Sequence, residues 1–186
     1  YCMGTTEHPV TFTSDTKKTE DWGGIICGYN SQEVVLNHVD LAYAGATPTE
    51  SSASFQNHLF KSTIDGGVPA FHFCNVNGKF VMANCFLHDN YNDQTYFTGG
   101  QGVIYNCIFA DNGNATDGGE AINVKAGCKL DIANNIIYNA CTNAFKLSNS
   151  GNSELIPLTQ LTAYNNTIVN CGWRRAKNKK GGSVWL

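Results

Sequence analysis

The chain has 186 residues, room for one ordinary domain, and 42% of them are apolar, enough for a sizeable core. Charged residues make up only 15% and the net charge is −3, which argues against the basic face of a general nucleic-acid binder. No apolar run approaches the ~18 residues of a membrane span, and 22 Asn beside few good helix formers argue against an all-α fold.

In chain order, residues 4–14 carry Gly4, Thr5, Pro9, Val10, Phe12, Thr13 and Ser14, followed by Asp21, Trp22, Gly23 and Gly24. Residues 24–27 then read small, apolar, variable, apolar, and residues 34–41 form an apolar run with His38 at its fifth position. A Ser/Thr-rich stretch at 45–68 follows, with a short helix expected at 54–61 from Phe55 and Leu59 at i, i+4. The two patterns then alternate. The small-apolar-variable-apolar pattern returns at 70–73, 121–124, 144–147 and 183–186, with a weaker member at 95–97. The longer run returns at 80–87, 102–109, 130–137 and 161–168, with Asn84, Asn106, Asn134 and Asn165 at its fifth position. A second insert is expected at 148–160.

Internal repetition of this kind marks a solenoid. Each unit reads as two or three strands of about four residues, too short to bury themselves. Stacking the units pairs each strand with its equivalents ~4.8 Å above and below. The inward columns are then Leu36/Met82/Ile104/Ile132/Ala163, Leu41/Leu87/Phe109/Ile137/Ile168 and Cys27/Phe73/Phe97/Val124/Leu147. A bend needs a residue that tolerates the left-handed region, and Asn does so better than other non-Gly residues. His38, Asn84, Asn106, Asn134 and Asn165 are therefore read as a structural ladder at one corner, with side-chain amides bonded from coil to coil. His38 is a core variant in that column.

The whole-chain pattern resembles the right-handed parallel β-helix, the pectin-lyase-like superfamily, carried by Asn84, Asn106, Asn134 and Asn165 with their apolar flanks. The stretch from Gly4 to Ser14 with Asp21, Trp22, Gly23 and Gly24 is similar to a signature of secreted and surface β-helix lipoproteins of Gram-negative bacteria. The resemblance implies an all-β solenoid of about six coils forming one domain over 1–186, and an extracellular or outer-surface location. The chain opens inside a turn pattern and stops as a strand begins, so a fragment or processed product of a longer protein is expected.

In lyases and glycosidases of that superfamily, polysaccharide lies along the outer face of the first sheet. The corresponding outward column here is Ile26, His72, Tyr96, Asn123, Lys146 and Trp185, and the next is Gly28, Cys74, Thr98, Lys125 and Ser148. His72, Tyr96, Asn123, Lys146 and Trp185 are the substrate-binding candidates, because aromatic, amide and amine groups suit a sugar's apolar faces and hydroxyl edges. Asp89 and Asp111 share a column five residues past the ladder, with Asp93, Asp117 and Glu120 in the loops beyond. Asp89, Asp111, Asp117 and Glu120 are the metal candidates, an oxygen-rich set of the kind that holds Ca²⁺. Asp89, Asp111, Lys125 and Lys146 are the catalytic candidates, the lysines as bases for β-elimination or the acids as a hydrolytic pair.

The eight Cys are widely spaced, mostly inside apolar runs and without a CxxC pair, so they read as small buried hydrophobes with free thiols rather than a zinc ribbon. The basic run from Trp173 through Lys180 reads as a solvated loop. Asn114 and Asn165 begin glycosylation sequons, discounted because Asn165 is expected to face inward. Three readings of function stay open: an exported surface protein that binds or presents to carbohydrate, a polysaccharide lyase or hydrolase acting on an acidic polymer, and a structural adhesin or spacer.

Overall fold

The structure, a computed structural model, describes residues 1–58, 64, 66–113, 118–149, 158–173 and 183–185. Its strands come in six successive triplets. The first is β1 (Cys2–Met3), β2 (Val10–Phe12) and β3 (Ile25–Cys27). The second is β4 (Glu33–Asn37), β5 (Val39–Ala42) and, after α1 (Ala53–Gln56), β6 (Phe71–Phe73). Then come β7 (Lys79–Ala83), β8 (Phe86–His88) and β9 (Thr95–Thr98), followed by β10 (Gln101–Tyr105), β11 (Ile108–Asn112) and β12 (Glu120–Lys125). The last two are β13 (Lys129–Ala133), β14 (Ile136–Ala140) and β15 (Asn143–Ser148), then β16 (Gln160–Tyr164), β17 (Thr167–Val169) and β18 (Val184–Trp185).

First, second and third members of the triplets stack into three six-stranded sheets, here sheets I, II and III, and every named strand pair is parallel. This is the parallel β-helix that the repeat implied. Leu36 pairs with Met82, Met82 with Ile104 and Ile104 with Ile132, while Phe73 pairs with Phe97 and Phe97 with Val124, as the alternation required. Leu41, Leu87, Phe109 and Ile137 continue the second column, fully buried.

Aromatic rings join sheet I to sheet III inside the coil. Phe80 stacks on Phe97 with centroids 4.3 Å apart and lies 5.1 Å from Phe73. Gly102, in register with Phe80, leaves the space this ring uses: a Cβ there would lie 2.5 Å from its Cδ2 and 2.3 Å from the Phe80 carbonyl oxygen. The helix in the insert is shorter than 54–61, covering Ala53–Gln56. Asn57 closes it, its Nδ2 donating to the Ala53 carbonyl at 2.7 Å, and His58 turns left-handed at φ 53°. Leu59 and Lys61 lie outside the described residues, as does most of the 148–160 insert.

The corner column behaves in one respect as expected and in another not. His38, Asn84, Asn106, Asn134 and Asn165 all have φ between 49° and 57°. Their side chains, however, are not buried. Asn106, Asn134 and Asn165 are exposed, and His38 and Asn84 half-buried. Asn84 donates to the Asn37 side chain at 2.9 Å and Asn106 to Asn84 at 3.5 Å. The left-handed residue puts its own side chain outside the corner and directs the next one inward. The internal ladder is therefore Cys85, Cys107, Asn135 and Asn166. The Cys85 N–H donates to Cys107 Sγ (3.4 Å), Cys107 N–H to Asn135 Oδ1 (2.8 Å), and Asn135 N–H to Asn166 Oδ1 (3.0 Å). Each inner side chain also donates back to the preceding turn: Cys85 to Leu36, Cys107 to Met82, Asn135 to Ile104 and Asn166 to Ile132.

The next corner repeats the device. Tyr43, Asp89, Asp111, Asn139 and Asn170 are left-handed, with φ of 49° to 63°. The residue after supplies the inner contact: Asn90 accepts the Ala44 N–H at 2.8 Å and donates to the Leu41 carbonyl, and Cys171 donates to Ile137. All eight cysteines are free, and five are buried. Burial pushes the Cys128 thiol up to about 12 and Cys27 to about 11, so these thiols stay protonated.

Candidate functional site

The outward column of sheet III is in the register expected. Ile26 pairs with His72, His72 with Tyr96, Tyr96 with Asn123, Asn123 with Lys146 and Lys146 with Trp185. It is not the open face that was expected. His72, Tyr96 and Asn123 are each at most 2% exposed, while Lys146 keeps a quarter of its side chain in solvent. The Trp185 side chain lies outside the described residues. His72 Nε2 lies 3.4 Å from Thr98 Oγ1, and its ring meets the Tyr96 ring edge-on at 5.3 Å. Lys125 Nζ stands 5.0 Å from the Tyr96 centroid, a cation–π arrangement.

Two acids lie against this column at equivalent positions of adjacent turns. Thr95 pairs with Ile122, which sets Asp93 level with Glu120, and both are buried. Asp93 Oδ1 accepts the N–H groups of Gly119 (2.8 Å) and Glu120 (3.0 Å), and its Oδ2 accepts from Asn123 Nδ2 at 2.9 Å. Burial opposes the charge of Asp93, but the hydrogen bonds from Glu120, Asn123 and these N–H groups outweigh it and hold the carboxyl below its ordinary value. Glu120 goes the other way. Burial, then the Asp93 charge and hydrogen bond, push it up to about 8, although Lys146 Nζ sits 2.5 Å from its Oε1. The pair thus separates into one ionised and one protonated carboxyl, with Glu120 donating to Asp93. The Tyr96 hydroxyl is pushed above its ordinary value by burial and by the two acids.

Asp93 is central here, yet the sequence pointed to Asp89 and Asp111. The signal for it was available: Asp93 and Glu120 each stand two residues ahead of aligned sheet III positions. Asp89 and Asp111 do share a corner, but at the end of sheet II and with separate partners. Asp89 Oδ2 meets His88 Nδ1 at 2.7 Å, and His88 Nε2 meets Asp40 Oδ1 at 3.0 Å. Asp111 Oδ1 accepts from Asn139, which in turn accepts from Asn170, each at 2.7 Å. Of the four residues expected to hold Ca²⁺, the described ones, Asp89, Asp111 and Glu120, have separate partners. Asp117 is outside the described residues, Glu120 serves sheet III, and no group of three or more His, Cys, Asp or Glu among the described residues is placed to hold an ion. Lys146, expected as a base, is engaged by Glu120. Asn165 is exposed, against its expected inward orientation. The other sequon, at Asn114, and the basic run beyond Trp173 lie outside the described residues.

No helix among the described residues is long and apolar enough to cross a membrane. Residues 21–185 match a family model described as right handed beta helix region. Comparison with curated proteins and with solved structures gives no match.

Proposed function

We propose, for a chain that belongs to the right-handed β-helix family, that it binds acidic carbohydrate along the outer face of sheet III, in an extracellular or outer-surface setting. The supporting observation is Lys125 Nζ held 5.0 Å over the Tyr96 ring. An ammonium group above an aromatic floor suits a uronic acid, whose carboxylate meets the cation. Lys146, partly exposed on the same face, is engaged by Glu120, so the binding charge rests on Lys125. The buried His72, Tyr96 and Asn123 act as the rigid bed under these groups rather than as groups in open contact with sugar.

Binding rather than turnover fits the geometry best, because Asp93 and Glu120 spend their hydrogen bonds on this protein's own groups. The test is retention of a panel of oligosaccharides by the intact chain. Uronic-acid oligomers are retained, neutral ones are not, retention weakens with salt, and Lys125→Ala lowers it. New ultraviolet absorbance from an unsaturated product would establish a lyase, and new reducing ends a hydrolase. Failure to retain any glycan would leave the adhesin or spacer reading.

A further inference from the structure

We infer that the side chains of Asn123 and Lys146 join in an amide bond across adjacent turns of sheet III, with Glu120 as the group that moves the proton. Four observations converge on this. Asn123 and Lys146 are direct neighbours in the β12–β15 register. Lys146 Nζ touches Glu120 Oε1 at 2.5 Å. The Asn123 amide is buried and oriented by its Nδ2 donating to Asp93 Oδ2 at 2.9 Å. Its Oδ1, also buried, has no hydrogen-bond partner among the described residues, an arrangement that costs free energy unless something is to be donated to it.

The bond formation balances without any other reagent. Glu120 is already a carboxylic acid, and Lys146, a quarter exposed, reacts as the neutral amine after its ammonium proton is lost to water. Nζ attacks Cγ of Asn123 while the Glu120 carboxyl donates to Oδ1 as negative charge develops there. The tetrahedral centre collapses as a proton from Nζ reaches Nδ2 through Glu120. The Cγ–Nδ2 bond breaks, ammonia leaves, the Nζ–Cγ bond remains, and Glu120 ends protonated. No electrons change hands. Burial of Glu120 and Asn123 favours this: it keeps Glu120 protonated up to about 8 and shields the product from hydrolysis. Fixing amine and amide together replaces an encounter in solution and supplies effective molarities of roughly 10⁵–10⁸ M. The product would tie two turns covalently at the face that carries Lys125.

The test is the mass of the intact, folded chain followed by peptide sequencing in the mass spectrometer. The expected result is a deficit of one ammonia, with a branched peptide joining Asn123 to Lys146. The deficit disappears in Asn123→Ala and Lys146→Arg and is lost or slowed in Glu120→Gln. A folded wild-type chain of unaltered mass overturns the inference, as does Lys146 that is open to an amine-reactive reagent. An ammonia deficit without the branched peptide overturns it too, since a succinimide at Asn77-Gly78 has the same mass. Loss of water with the bridge at Asp93 overturns Asn123 as the acceptor. These readouts are independent of carbohydrate binding, so either proposal stands or falls alone.

Discussion

The side-chain oxygen of Asn135 accepts the backbone N–H of Cys107, one turn below it, at 2.8 Å. The Asn135 amide does in its turn what the Cys107 thiol does in the one before, and Asn166 repeats it in the next. Corner stability therefore resides in the residue after the left-handed one. Asn135→Ala leaves the buried Cys107 N–H without an acceptor and should cost about 1–3 kcal/mol. Urea denaturation measures it, and an unchanged midpoint would remove the ladder role from Asn135.

Asn106 should behave differently. It is exposed and holds φ 55°. Asn106→Gly keeps that conformation accessible and should shift stability by no more than about 0.5 kcal/mol. A branched residue forced there should destabilise through backbone strain instead. If Asn106→Gly cost as much as Asn135→Ala in the same titration, the outer column would carry buried amides after all.

This difference also shows how far the residues could be read in advance. The period-2 alternation of Leu36, Met82, Ile104 and Ile132 fixed the inward face, because a one-residue slip would turn all of them to solvent. The same pattern located the left-handed corners at Asn84 and Asn106. It did not say which side of the corner an amide occupies, since that depends on how the left-handed backbone dihedrals turn the following side chain. The burial of His72, Tyr96 and Asn123 was equally invisible, because it depends on contacts with adjacent turns, such as Lys125 over the Tyr96 ring and Asp93 on the Asn123 amide. Asp93 was seen as a loop acid. Its role needed the pairing that brings it level with Glu120 across 27 residues of sequence.

The carboxyl pair gives the fold a pH profile. In the folded state Glu120 holds its proton up to about 8, against an ordinary value of 4.5. Between those values the folded chain binds a proton that the unfolded chain has released, so stability falls as pH rises through that window. Asp93, held below its ordinary 3.8, acts oppositely at acid pH: its contribution is present above that value and lost as pH falls through the lowered one. The melting temperature should be highest near the acid end of the Glu120 window and decline toward pH 8. Glu120→Gln should flatten that decline, and a decline of equal slope in the variant would assign it to other groups.

The aromatic joint between sheets I and III should be sensitive to both loss and gain of volume. Phe97 is fully buried and stacked on Phe80 at 4.3 Å. Phe97→Ala should cost about 3–5 kcal/mol. Gly102→Ala should cost about 1–3 kcal/mol from overpacking, because the new methyl meets both the Phe80 ring and its carbonyl oxygen. Thermal denaturation of the two variants checks this, and a neutral Gly102→Ala would contradict the tight register of β7 and β10.

The functional reading rests on Lys125 above Tyr96 on the outer face of sheet III. A crystal structure of the chain grown with a uronic-acid oligosaccharide tests it most directly. The account predicts sugar along that face with a carboxylate against Lys125 Nζ. Sugar on sheet I or sheet II, or a bare sheet III at saturating ligand, would contradict it.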